Sequence, residues 1–275
     1  MLIFSFKSKH IVAAEQPAQL SYVNMIQCKN CHENTDGKYC RNCGQKADVA
    51  KISIPALIRD LPHAIFHIDR GLLYNFTQLF KRPGHAINEY LLGKRKPFFH
   101  PVSYLVFALV LNYLVVKMYN LHLYDEAELL TMNPLKAQAI RDYDALQWWF
   151  LEHTYIYILI AIPVSGLFLF GIFKLMKQKY NLAETSVIML FTIAQGVLIQ
   201  TIIYLCFGWS PSGPFLRTME TVNMCVLILY ASIVIYQVFT PNSNIFIRFI
   251  FAFIAGAGLA AIWIASAYLL YIMLT

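Results

Sequence analysis

Ser186–Phe207, SVIMLFTIAQGVLIQTIIYLCF, runs for 22 residues without an Asp, Glu, Lys, Arg or His. At about 1.5 Å of rise per residue, a helix of that length crosses the roughly 30 Å of hydrocarbon in a bilayer. A soluble surface helix would carry a polar stripe along one side. This one has none, so it reads as a membrane span. Four further stretches read the same way: Pro101–Val116, closed by Lys117; Thr154–Phe173; Val222–Phe239; and Phe249–Leu274. The composition agrees. Apolar residues make up 58% of the chain and charged residues 13%, against about a quarter charged in an ordinary soluble domain. The sequence therefore predicts an all-α integral membrane protein of about five transmembrane helices.

The charges are segregated. Residues 1–100 hold 14 of the 22 Lys and Arg, and residues 176–275 hold four. Lys81, Arg82, Lys94, Arg95 and Lys96 precede the first span, Lys174, Lys177 and Lys179 follow the second, and Arg248 precedes the fifth. The excess of positive charge on cytoplasmic loops then places these regions inside the cell. The N-terminus is expected in the cytoplasm and the C-terminus outside, in a multi-pass protein of the inner membrane. Residues 1–27 read as a loose tail with no signal peptide, because Lys7 and Lys9 interrupt a short apolar start. The long loop after the first span should contain an outer-leaflet amphipathic helix, with Asn133 capping and Pro134 at its first position.

Cys28-Lys-Asn-Cys31 and Cys40-Arg-Asn-Cys43-Gly44 are two C-x2-C knuckles with eight residues between them. Two residues between thiols let one tight turn aim both sulfurs at a metal, and two such turns complete a tetrahedral four-sulfur site, usually for Zn²⁺. With all four ligands supplied by cysteine, no coordination position is open for catalysis. The expectation is a structural zinc in a zinc-ribbon-like knuckle domain over 28–46, kept reduced in the cytoplasm. Lys29, Lys38, Arg41 and Lys46 would offset the charge of four thiolates, and His32 reads as a bystander.

Residues 52–100 join the knuckle to the first span, residue 101 onward being the membrane domain. Leu57, Ile58, Leu61, Ile65 and Ile68 mark one helical face, and Leu72, Leu73, Phe76, Leu79 and Phe80 another. Pro83-Gly84 reads as a turn, followed by a short helix over His85–Leu92 that Gly93 ends. Apolar faces beside a basic cluster suit amphipathic helices lying on the anionic cytoplasmic leaflet. Lys81, Arg82, Tyr90, Lys94, Arg95 and Lys96 are candidates to hold a lipid phosphate or an acidic partner. His63 with His67, and His85 with Glu89, have the i, i+4 spacing that places ligands on one helix face. They are candidates for a second metal, with helix-surface ion pairing as the plainer reading.

The knuckle, "HIDRG" at 67–71 and "KRPGHAINEYLLGKRKPFFHP" at 81–101 together resemble a family of uncharacterised bacterial membrane proteins. Its members pair an N-terminal zinc ribbon with an R-P-G…Y-x-x-G-K-R…P block ahead of several helices. The resemblance covers roughly residues 28–105 and implies architecture and location, not chemistry.

The five stretches contain no Asp, Glu, Lys or Arg, whereas ion-coupled transporters usually bury such residues. Asn112, Gln195, Gln200, Asn223 and Gln237 read as interhelical hydrogen-bonding groups, and Cys206 and Cys225 as two unpaired, buried thiols, a disulfide between them being the lesser alternative. The favoured function is a non-enzymatic membrane protein that binds a protein partner or membrane lipid at the cytoplasmic face. A carrier for a neutral or lipidic substrate is the alternative, and a lipid-acting enzyme using His63, His67, His85 or Glu89 comes behind it. Nucleic acid is not an expected partner, because no aromatic stacking platform accompanies the knuckle.

Overall fold

The computed structural model describes residues 25–55, 57, 71–122, 124, 126–208, 213–239 and 245–274. Two short strands, β1 (Ile26–Gln27) and β2 (Asn34–Thr35), pair antiparallel with Ile26 opposite Thr35. The helices are α1 (Gly71–Lys81), α2 (Pro83–Leu92), α3 (Pro101–Tyr119), α4 (Glu126–Leu129), α5 (Pro134–Glu152), α6 (Thr154–Leu175), α7 (Leu182–Phe207), α8 (Gly213–Val238) and α9 (Ile245–Leu274). Three of them, α3, α7 and α8 from Pro214 onward, are long and apolar enough to cross a membrane. In α6 and α9 the apolar stretches with described side chains are shorter, Ala161–Leu175 and Arg248–Ile262.

The uncharged stretch Ser186–Phe207 lies within α7, at the centre of the bundle. In α7, 67% of the apolar window is buried inside the molecule, against 28% in α3 and in α8. The helix packs on α3 and α6, and less extensively on α8. Leu182 starts it four residues before the expected span, because Asn181 and Glu184 close a capping box. The Asn181 side chain accepts from the Glu184 N–H at 2.8 Å, and the Glu184 carboxylate accepts from the Asn181 N–H at 2.8 Å. This satisfies two backbone donors that a helix start leaves open.

One expectation for the 71–92 segment is corrected. Pro83 and Gly84 do not turn the chain but open α2, with Pro83 at its first position, where a missing N–H costs nothing. Both α1 and α2 pack into the bundle. Leu79, Ala86 and Ile87 are completely buried, and α2 packs on the C-terminal half of α8. A Cβ at Gly84 would stand 2.4 Å from Gln237 Cβ and 2.6 Å from the Val234 carbonyl oxygen, so glycine is what lets the helices touch. The Gly84 N–H donates to Gln237 Oε1 at 2.9 Å. Of the face marked by Leu57, Ile58, Leu61, Ile65 and Ile68, only Leu57 lies within the described residues, and it packs against the core.

The Asn133 cap is present, its side chain accepting from the Leu135 N–H at 2.9 Å. The face of α5 that carries Tyr143 and Leu146 lines a cavity in the bundle. Cys206 and Cys225 are exposed, not buried. The helix α8 begins well before Val222 and carries Arg217 and Glu220 within it, so that candidate span is not free of charge.

Candidate metal centre and its seat on the helical bundle

Each knuckle is a turn closed by its own backbone. The His32 N–H donates to the Cys28 carbonyl at 2.9 Å, and the Gly44 N–H to the Cys40 carbonyl at 2.8 Å. The residue after each C-x2-C is left-handed, His32 with φ 62° and Gly44 with φ 71°. His32 thus fills the position that Gly44 fills in the second knuckle, and it bears the strain a side chain meets there. The Cys28 and Cys43 sulfurs lie 3.5 Å apart, and those of Cys31 and Cys40 lie 3.4 Å apart. All four ligand atoms fall within 4.8 Å of one another. A tetrahedral site with metal–sulfur bonds of about 2.3 Å has edges of about 3.8 Å, so the four cysteines fit a single ion.

Thiols this close cannot all ionise without a cation between them. The Cys43 thiol is pushed up by burial, but hydrogen bonds from the Asn30 side chain and the Gln45 backbone outweigh this and hold it at about 6. The Glu33 backbone favours the Cys31 thiolate, yet burial and the three neighbouring thiols together drive Cys31 up to about 12. A divalent ion would relieve this asymmetry by favouring all four thiolates.

The knuckle is seated on the peptide between α2 and α3. Gln45 is buried, its Nε2 donates to the Gly93 carbonyl at 2.9 Å, and its Oε1 accepts from the Arg95 and Lys96 N–H groups, each at 2.9 Å. Gly93 adopts φ 113° to end α2, and a Cβ there would stand 2.5 Å from Lys29 Cδ. The Lys29 Nζ goes on to the Val49 carbonyl at 2.9 Å, and Arg95 donates to the Ala50 carbonyl at 2.8 Å. Asn181, at the start of α7, donates to the Ile52 carbonyl at 3.2 Å. Below this seat, Asn75 exchanges two hydrogen bonds with the Phe99 backbone, and Tyr90, Phe98 and Phe191 form an edge-to-face cluster with ring centroids 5.2–6.3 Å apart.

The basic set proposed from the sequence divides. Glu89 accepts from Arg82 through both oxygens and from Lys94 at 3.0 Å, and the Arg82 hydrogen bond, with help from Lys94, holds its carboxyl below the usual range. Arg95 lies 5.7 Å from the centre of the buried Tyr90 ring. Lys81 and Lys96 are exposed. Of the second-metal candidates, Glu89 is taken up by Arg82 and Lys94, His85 is exposed, and His63 and His67 lie outside the described residues. Among the described residues only the cysteine quartet forms a metal-competent group. Sequence reasoning missed Gln45 and Asn75, because a polar residue whose partner is far along the chain leaves no local pattern; Gln237, read as an interhelical hydrogen-bonding group, does make such a bond, to Gly84. The Asn181-x-x-Glu184 box was the one missed feature with a readable signature.

These features define a class: a helical, membrane-type protein with a four-cysteine site that could hold a metal, seated on one end of its bundle. Residues 69–112 match a family model described as "Protein of unknown function (DUF3667)". That match spans α1, α2, the seat and most of α3, and leaves out the knuckle and the later helices. No curated protein and no solved structure matches the chain.

Proposed function

We propose that this chain is a non-enzymatic, multi-pass inner-membrane protein that presents a zinc-ordered cytoplasmic knuckle to a protein partner, with anionic lipid beside it. On this reading α3, α6, α7, α8 and α9 make five spans, the N-terminus is cytoplasmic and the C-terminus lies outside. The ion is zinc, since a closed four-thiolate set without redox partners suits it best. The chain is a bacterial protein of the family resembled over residues 28–105.

The observation that carries the reading is the Gln45 clamp. A knuckle with almost no core takes most of its folding energy from the metal. Its buried amide then fixes the 93–96 peptide, so metal occupancy sets the shape of the whole face. Lys81 and Lys96 are the members of the basic set that stay exposed and make no ion pair among the described residues, and they are the groups that would meet an acidic partner or lipid headgroup.

Crosslinked recovery from native membranes tests it, with co-purified lipid identified in the same sample. The intact chain recovers a partner that Cys40→Ser and the Lys81→Glu/Lys96→Glu pair both lose, while all three stay in the membrane. Equal recovery by all three would end the reading. A carrier function is favoured by one observation, a cavity at the opposite end of the bundle.

A further inference from the structure

Two different things separate α3 from α8. Toward one end of the bundle it is a cavity of about 310 Å³ beneath α5, with Leu109, Asn112, Asn223 and Leu227 in its walls. Toward the knuckle it is the pair α1 and α2, which pack there on α7 and α8.

Hydrogen bonds fix how far in α1 reaches. Its Phe76 carbonyl accepts from Gln195 Nε2 at 3.5 Å, and Gln195 stands at the middle of α7, Leu182–Phe207. Its Leu79 carbonyl accepts from Tyr230 Oη at 3.1 Å. Tyr230 precedes the end of α8 at Val238 by about 12 Å of helix. Both α7 and α8 are long and apolar enough to cross a membrane, and the middle of a helix that crosses about 30 Å of hydrocarbon lies inside it. From Pro101 to Val116, before Lys117, α3 covers only about 24 Å, so the hydrocarbon continues past its start. Gly71, at the head of α1, stands at that point: a Cβ on it would meet the Phe99 nitrogen at 2.7 Å.

The outward face of α1 suits such a place. Leu73 is 74% exposed and Phe80 64%, and the Phe76 and Phe80 rings stack with centroids 6.2 Å apart. Thr77, between them, turns its hydroxyl back onto the Leu73 and Tyr74 carbonyls at 2.9 and 3.0 Å. A hydroxyl satisfied by its own helix can face lipid at little cost. The charges collect at the end of the face. Arg82 and Lys94 both pair with Glu89, and the Lys81 stem is long enough to lead its ammonium to the headgroups.

We infer that α1 and α2 form a re-entrant hairpin in the inner leaflet, α1 lying on the hydrocarbon side of the headgroups with Leu73 and Phe80 against lipid acyl chains. The partner of this surface is the acyl region of the bilayer, not its phosphates. The inference rests on α7 and α8 crossing the membrane, as the reading above has them, and on nothing at the knuckle.

Photo-crosslinking tests it on the full-length, metal-loaded chain in nanodiscs of phosphatidylcholine and phosphatidylglycerol. The probe is p-benzoylphenylalanine, which inserts into nearby C–H bonds, placed singly at Leu73, Phe80, Lys96 or Leu229. Leu229 is the control for depth, exposed on α8 beside Tyr230, and Lys96 is exposed at the seat of the knuckle. Mass spectrometry locates the crosslinked carbon. Leu73 and Phe80 give crosslinks to acyl carbons at a yield close to that of Leu229 and several-fold above that of Lys96. Acyl crosslinks at Leu229 with none at Leu73 and Phe80 overturn the inference. So do crosslinks at those two positions confined to headgroup carbons or to a second copy of the chain. Absence of acyl crosslinks at Leu229 as well overturns the spans themselves, and the hairpin with them. Metal content and thermal unfolding of each variant exclude a lost fold, and either of the two exposed positions decides should the other misfold.

Discussion

Gln45 and Asn223 are two amides buried to almost the same degree, 4% and 2% exposed, at opposite ends of one bundle. Gln45 makes three hydrogen bonds to backbone groups of the 93–96 peptide. Among the described residues, Asn223 leaves its carbonyl oxygen with none. Burial alone therefore says nothing about role. A buried amide with every partner inside the protein is a structural joint, and one with a partner missing points toward something the chain does not supply. The knuckle end is held by an amide whose bonds are all made within the chain, and the cavity end carries an amide oxygen left over among the described residues.

The largest effect expected on this contrast is at the knuckle. Cys40→Ser removes the ion and, with it, folding energy on the order of 10 kcal/mol for that unit. Metal content falls to none per chain, and proteolysis opens residues 25–55. The helix content of the bundle is unchanged, and if the bundle unfolds too, the two ends are not separate.

Gln45→Leu comes next. It strands the Gly93 carbonyl and two N–H groups, at a cost of about 2–4 kcal/mol in docking. Hydrogen exchange at residues 93–96 quickens while the metal stays bound, which distinguishes the joint from the metal site itself. Gly84→Ala, where α2 meets the C-terminal half of α8, forces α2 off α8 and lowers stability by about 1–3 kcal/mol, read by thermal unfolding in detergent.

A smaller effect follows from pH. The Glu89 carboxyl ionises at lower pH in the folded chain than in the unfolded one, chiefly through Arg82 and then Lys94. Its contribution is therefore present above the ordinary carboxylate range and is lost as the pH falls through the lowered folded value. The groups are partly exposed, 29% for Glu89 and 38% for Arg82, so solvent screening limits the effect to about 1 kcal/mol. Glu89→Gln should flatten the acid limb of the stability profile. The smallest change is Asn223→Leu, which removes an unsatisfied acceptor and leaves stability within about 0.5 kcal/mol of wild type or slightly above it. The same replacement at Gln45 is damaging, and equal losses at both positions would erase the distinction between the ends.

Much of the architecture is legible in the residues themselves. The C-x2-C pair announces the metal-competent quartet, Gly93 the end of α2, and Asn133-Pro134 the start of α5. Each of these is a contact between residues only a few positions apart. Other features mislead for one shared reason: their partners lie elsewhere in the chain. The basic segment looks like free positive charge, yet Glu89, Tyr90 and the Ala50 carbonyl take up Arg82, Lys94 and Arg95. The spans look free of charge because Pro211 and Pro214 hide how early α8 begins.

The sequence by itself determined which stretches are too apolar for water and which four thiols can share an ion, since both follow from local composition and spacing. Only the tertiary structure decided that α7 is the enclosed helix, that α2 is buried, and which amides are satisfied. Gln45 finds Gly93 across 48 positions, and Gly84 finds Gln237 across 153. A hydrogen bond acts over about 3 Å of space, and no distance along the chain encodes that closeness.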